Sequence, residues 1–155
     1  MNYKRVLIVM LVLVAIFASL SVASAGFLED LFGEEEVSEP FNTTIDGINF
    51  TIPAGYVENE NLTISDSVAA SDGQNRNQKI FYNEKEDEII AITVASYSDG
   101  EIYYDGNDTE KTIAGIDGYF SHDNESDLDV FSFIKNNKGI IVIANNETTI
   151  SEIIS

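Results

Sequence analysis

One stretch of this chain cannot belong to the same folded body as the rest. Residues 6–18 are an unbroken apolar run, preceded by Lys4 and Arg5 and followed by Ala23-Ser24-Ala25. Those small residues stand at the spacing a signal peptidase accepts, and the run fits a signal core of about 7 to 15 residues. It is short for a spanning helix, which needs roughly 20. Residues 1–25 therefore read as a secretory signal cleaved after Ala25. No charged residue occurs between Val6 and Leu28, so an uncleaved anchor through residues 6–25 is the alternative. In both cases the basic start stays in the cytoplasm and everything after it lies outside the membrane.

The exported part must hold itself together by packing alone, because the chain has no cysteine. That excludes the disulfides small secreted domains often use, and a lipid on an N-terminal cysteine. A length of 155 residues, less the leader, suits one hydrophobic core. Lys4 and Arg5 are the leader's basic residues and no acidic residue lies there. Six of the 8 basic residues thus face all 27 acidic ones, a net charge near −21. Such a field repels phosphate backbones and anionic surfaces and attracts cations. Nucleic acid is not expected as a partner, and membrane contact is expected only through the N-terminal segment. The expected partner is an unidentified envelope or extracellular component.

Residues 26–40 form an acidic linker or a short amphipathic arm. Phe27, Leu28, Leu31 and Phe32 would share one helical face, ahead of Glu34, Glu35, Glu36 and Glu39. From residue 41 to 155 the pattern is that of a single domain. Ile48, Phe50 and Ile52 alternate with polar residues, and Pro53-Ala54-Gly55 ends the run. Residues 59–77 are polar and read as a loop or as a short helix near 65–70. Residues 79–82 begin a second strand. Residues 89–95, nearly all apolar, predict a central strand buried on both faces. Thr112, Ile113, Ile116, Tyr119 and Phe120 mark one further strand, with Gly115 and Gly118 as bends. Residues 128–135 alternate, 136–139 suit a hairpin turn, and 140–144 return. Thr149 with Glu152 has capping-box spacing, and Ile150, Ile153 and Ile154 fall on one helical face. The expectation is an α+β domain: an antiparallel sheet of about five or six strands with one or two short helices on one face, including a short C-terminal helix.

Motifs for chemistry are sparse. His122 is the sole histidine, in the polar run Ser121-His122-Asp123-Asn124-Glu125, and reads as solvated. There is no Gly-x-Ser-x-Gly elbow and no phosphate-binding glycine loop. Asp105 and Asn107 begin like a calcium loop, as do Asp123, Glu125 and Asp127, which alternate. Counted from Asp105, positions 6 and 12 are Glu110 and Ile116; from Asp123 they are Leu128 and Ile134. An EF-hand needs Gly and Glu there, so any calcium site would be of another type. A hydrolase would need two convergent carboxylates, and 27 acids supply pairs by accident. No catalytic residue and no cofactor is assigned beyond that calcium option.

The acceptor triplet Asn-x-Ser/Thr occurs at Asn42, Asn49, Asn61, Asn107, Asn124 and Asn146, against about two expected by chance from this composition. In an exported chain these are candidates for N-linked glycans, chiefly Asn42, Asn61, Asn107, Asn124 and Asn146. Asn49 falls inside a strand, so it qualifies only if its face is solvated.

The leader, the Ala25-Gly26-Phe27-Leu28 junction, the acidic linker, the 47–56 segment and residues 112–145 together resemble small exported proteins of methane-producing archaea, whose function is unknown. The strand order is similar to that of PsbP-like domains, at the level of fold only, and fold does not transfer activity. The chain thus reads as a non-enzymatic secreted or cell-surface binding or envelope-associated module. An acidic calcium-binding module and a carboxylate hydrolase are the alternatives.

Overall fold

The computed structural model describes residues 37–68, 74–97 and 108–155. The expected leader, its cleavage point after Ala25 and the arm up to residue 36 lie outside these residues. No helix among the described residues is long and apolar enough to cross a membrane.

Ten strands and one α-helix are described: β1 Phe41–Ile45, β2 Ile48–Ile52, β3 Val57–Glu58, β4 Ile64–Val68, β5 Gln74–Asn83, β6 Glu88–Tyr97, β7 Thr109–Ile113, β8 Ile116–Asp123, β9 Leu128–Lys135, β10 Lys138–Ala144 and α1 Glu147–Ile154. A short 3-10 turn at Glu60–Leu62 separates β3 from β4. Eight strands form one antiparallel sheet in the order β3-β5-β6-β10-β9-β8-β7, with β4 also on β5. β1 and β2 form a separate two-stranded hairpin.

The sheet exceeds the five or six strands expected, so the domain is mainly β, with α1 as the expected C-terminal helix. Two-residue turns join three of the hairpins, and one of these turns, with β4 in the polar stretch, accounts for part of the difference. Asp46-Gly47, Ala114-Gly115 and Asn136-Asn137 all adopt positive φ, the conformation that joins strands through a tight hairpin. The second turn splits the single strand read around 112–120 into β7 and β8. The polar stretch at 59–77 holds the 3-10 turn, β4 and the start of β5; residues 64–68, where a short helix was one expectation, are strand, and residues 69–73 lie outside the described residues.

Register places the core. Phe81 faces Ile90; Ile92 faces Val142, which faces Phe131; Val94 faces Ile140, which faces Phe133. Direct cross-strand partners share a sheet face. Against this face pack Ile45, Ile48, Phe50 and Ile52 of the hairpin and Ile150, Ile153 and Ile154 of α1. Phe131 and Phe133 stack with centroids 5.5 Å apart. β6 is buried on both faces from Ile89 to Ala95, as its unbroken apolar run predicts.

Two basic residues tie the outer layer to the sheet. Lys138 Nζ donates to the Asp46 carbonyl at 2.6 Å and pairs with its carboxylate at 2.8 Å. Lys111 pairs with Glu147 at 2.5 Å and lies 4.3 Å from the Phe120 ring centre.

Candidate functional site

A recess lies where the hairpin, the β5–β6 turn and the end of α1 meet. It has a volume of about 590 Å³. Each wall has a local cause. Pro53 ends β2, because it lacks the N–H that a ladder requires, and the following turn brings Tyr56 beneath β6. The pairing of Asn83 with Glu88 closes the β5–β6 turn and presents Glu86 and Glu88. The helix, seated by its isoleucines, contributes Thr149 and Glu152.

Tyr56 is almost wholly buried, and its hydroxyl donates to Glu88 Oε2 at 2.6 Å. Burial raises the Tyr56 pKa well above the ordinary tyrosine value; the Glu88 hydrogen bond and the charges of Glu88 and Glu86 add to this. The phenol therefore stays a neutral donor at any physiological pH. Pro40, Pro53, Ala54 and the Tyr56 ring give the recess an apolar side, while Glu86, Glu88 and Glu152 give it a negative one. An arrangement of this kind accepts hydrogen bonds and cationic groups and disfavours anions.

None of these residues reads from the sequence as part of a site; Thr149 and Glu152 stand out only for their helix-capping spacing and Pro53 only as a strand end. They come from segments more than a hundred residues apart, and three glutamates among 27 acids carry no local signature. The one available hint was Tyr56 directly after a Pro-Ala-Gly break, an aromatic placed where a strand has just ended.

The calcium candidates divide. Asp105 and Asn107 lie outside the described residues. Asp123 is engaged by its own turn: its carboxylate accepts from the Ser126 hydroxyl at 2.6 Å and the Glu125 N–H at 3.1 Å. The Ser126 bond is the main cause of its lowered pKa. Asp127, at positive φ, stands 3.6 Å from His122 Nε2, and Asp129 holds His122 Nδ1 at 2.8 Å. The turn after β8 breaks the extended alternation, so Asp123, Glu125 and Asp127 do not line up on one edge. Among the described residues no group of three or more His, Asp or Glu converges as a metal site would require. His122 lies on β8 between two aspartates rather than in a free loop, although it is exposed.

The acceptor asparagines fare differently. Asn42, Asn49, Asn61, Asn124 and Asn146 are all exposed, Asn49 included, because the outer side of the hairpin faces solvent. Asn107 lies outside the described residues.

No family model matches the chain, and neither the curated proteins nor the solved structures yield a match.

Proposed function

We propose that this domain is a non-catalytic binding module working outside the cell membrane, and that the recess beside Tyr56 receives its ligand, a cationic group carried on an apolar stem. The observation that carries this reading is the recess itself: one apolar side, three carboxylates and a buried phenol that keeps its proton. Ligand sites are typically concave and largely apolar, with a few placed polar groups. The leader, the acidic surface and the likeness to exported methanogen proteins support work at the envelope. The net charge supports a positively charged partner and disfavours nucleic acid.

Spermine serves as the probe, since it combines ammonium groups with apolar linkers. Its effect on the melting temperature is measured in 150 mM salt for the exported protein, Glu88→Gln and Glu152→Gln, with Glu110→Gln on the edge strand β7 as the control for diffuse charge. A probe at 100 times its dissociation constant stabilises by about 2.7 kcal/mol, a readily measured rise. The expected result is a rise in the parent and in Glu110→Gln that is reduced in the two recess variants. An equal rise in all four would reduce the recess to surface charge and end the proposal. Calcium run in parallel tests the cation-module alternative, which requires a rise independent of Glu88.

A further inference from the structure

The β1–β2 hairpin and α1 form the layer that covers the core face of the sheet, and three acceptor asparagines stand on its outer surface. Asn42 pairs with Thr51 and Asn49 with Thr44, on adjacent rows of the hairpin. Residues diagonal to each other in this way lie about 7–8 Å apart. The two triplets are interlocked. Thr44 Oγ1, the hydroxyl of the first, donates to Asn49 Oδ1 at 2.8 Å, and Thr51 Oγ1, the hydroxyl of the second, donates to Asn42 Oδ1 at 3.4 Å. Asn146 caps α1, where its Oδ1 accepts from the Thr149 N–H at 2.9 Å and the Thr149 hydroxyl at 3.1 Å. In all three the amide oxygen is the atom engaged, and the amide nitrogen, to which a glycan attaches, takes no part in these bonds.

We propose that Asn42, Asn49 and Asn146 carry N-linked glycans, so that the hairpin and helix layer is the sugar-bearing side of the domain. The donor is an oligosaccharide joined through phosphate to a lipid carrier. The asparagine amide nitrogen forms a bond to the sugar's C1 while the bond from C1 to the phosphate oxygen breaks. The lipid phosphate leaves with the electron pair, and the amide proton passes to a base of the transferase. No redox partner is needed. A sugar on each of these nitrogens leaves the structural bonds intact: the hairpin keeps its two cross-strand hydrogen bonds and α1 keeps its cap. This inference rests on the chain being exported, not on what the recess binds.

The test is mass spectrometry of the protein collected outside cells able to N-glycosylate, intact and as peptides, so that the N-terminus and each asparagine are read separately. Asn42→Gln, Asn49→Gln and Thr148→Ala are compared with the parent; the last removes the Asn146 triplet while leaving the cap. The expected result is a chain beginning at Gly26 or retaining its anchor, with sugar on the peptides holding Asn42, Asn49 and Asn146, and one glycan increment lost in each variant. An exported chain bare at these three asparagines, or modified only at Asn61 or Asn124, overturns the assignment while export stands. A full-length chain found only in the cytosol overturns both.

Discussion

At Gly118, in the middle of β8, a single added carbon has nowhere to go. A Cβ there would sit 2.5 Å from the Ser132 carbonyl oxygen and 2.7 Å from the Phe131 ring. Both are held, one by the ladder and the other by stacking on Phe133. Gly118→Ala should therefore cost about 1–3 kcal/mol, read as a lower urea midpoint at unchanged slope. Two tyrosines set the alkaline limit. Burial first, then the Asp87 hydrogen bond and charge, push the Tyr82 pKa up to about 12, and Tyr56 is raised by the same kinds of cause. The unfolded chain releases these protons near pH 10 and the folded one does not, so the unfolded state binds fewer protons in between. Stability from this source is complete below pH 10 and falls as pH climbs toward 12 and beyond. Melting followed by circular dichroism from pH 8 to 12 should show that decline, and a Tyr56→Phe, Tyr82→Phe double variant should flatten it. These close approaches and raised pKa values cannot be read from the sequence. The sequence marks Gly118 as a bend, whereas the crowding of Phe131 is what requires glycine there.

Among the elements, α1 offers the clearest separation of effects. Its cap is Asn146, not the Thr149 that the spacing to Glu152 suggests, and the helix starts at Glu147. Asn146→Asp keeps an oxygen acceptor and should melt close to the parent, while Asn146→Ala should cost roughly 0.5–2 kcal/mol. Ile153, fully buried against the core, should cost about 2–5 kcal/mol as alanine. Chemical denaturation of the sugar-free domain measures all three. The long, strongly patterned elements were legible in advance: the buried β6, the β9–β10 hairpin and the apolar face of α1 each show their period in the sequence. The edges of the sheet were not. β7 reads Thr-Glu-Lys-Thr-Ile and β4 reads Ile-Ser-Asp-Ser-Val, too polar to announce a strand, and Ala114 at positive φ hides the turn that separates β7 from β8. For the recess no local pattern existed, since it is produced by the pairing of distant strands and the seating of a helix.

For the whole molecule, charge and architecture act together. With a net charge of −19, repulsion works against compactness, and salt screens it over about 10 Å at 0.1 M and about 3 Å at 1 M. The melting temperature should therefore rise between 10 mM and 500 mM sodium chloride; a fall or a flat response would mean that ion pairs such as Lys138–Asp46 outweigh the repulsion. The same polar edge strands that concealed the size of the sheet have a further consequence. A sheet of this width ends in rows of unpaired amides and carbonyls, which invite another chain to extend the ladder. Glu110 and Lys111 on the β7 border make that extension bring charge into a dry seam, so this border itself guards the protein against fibre formation.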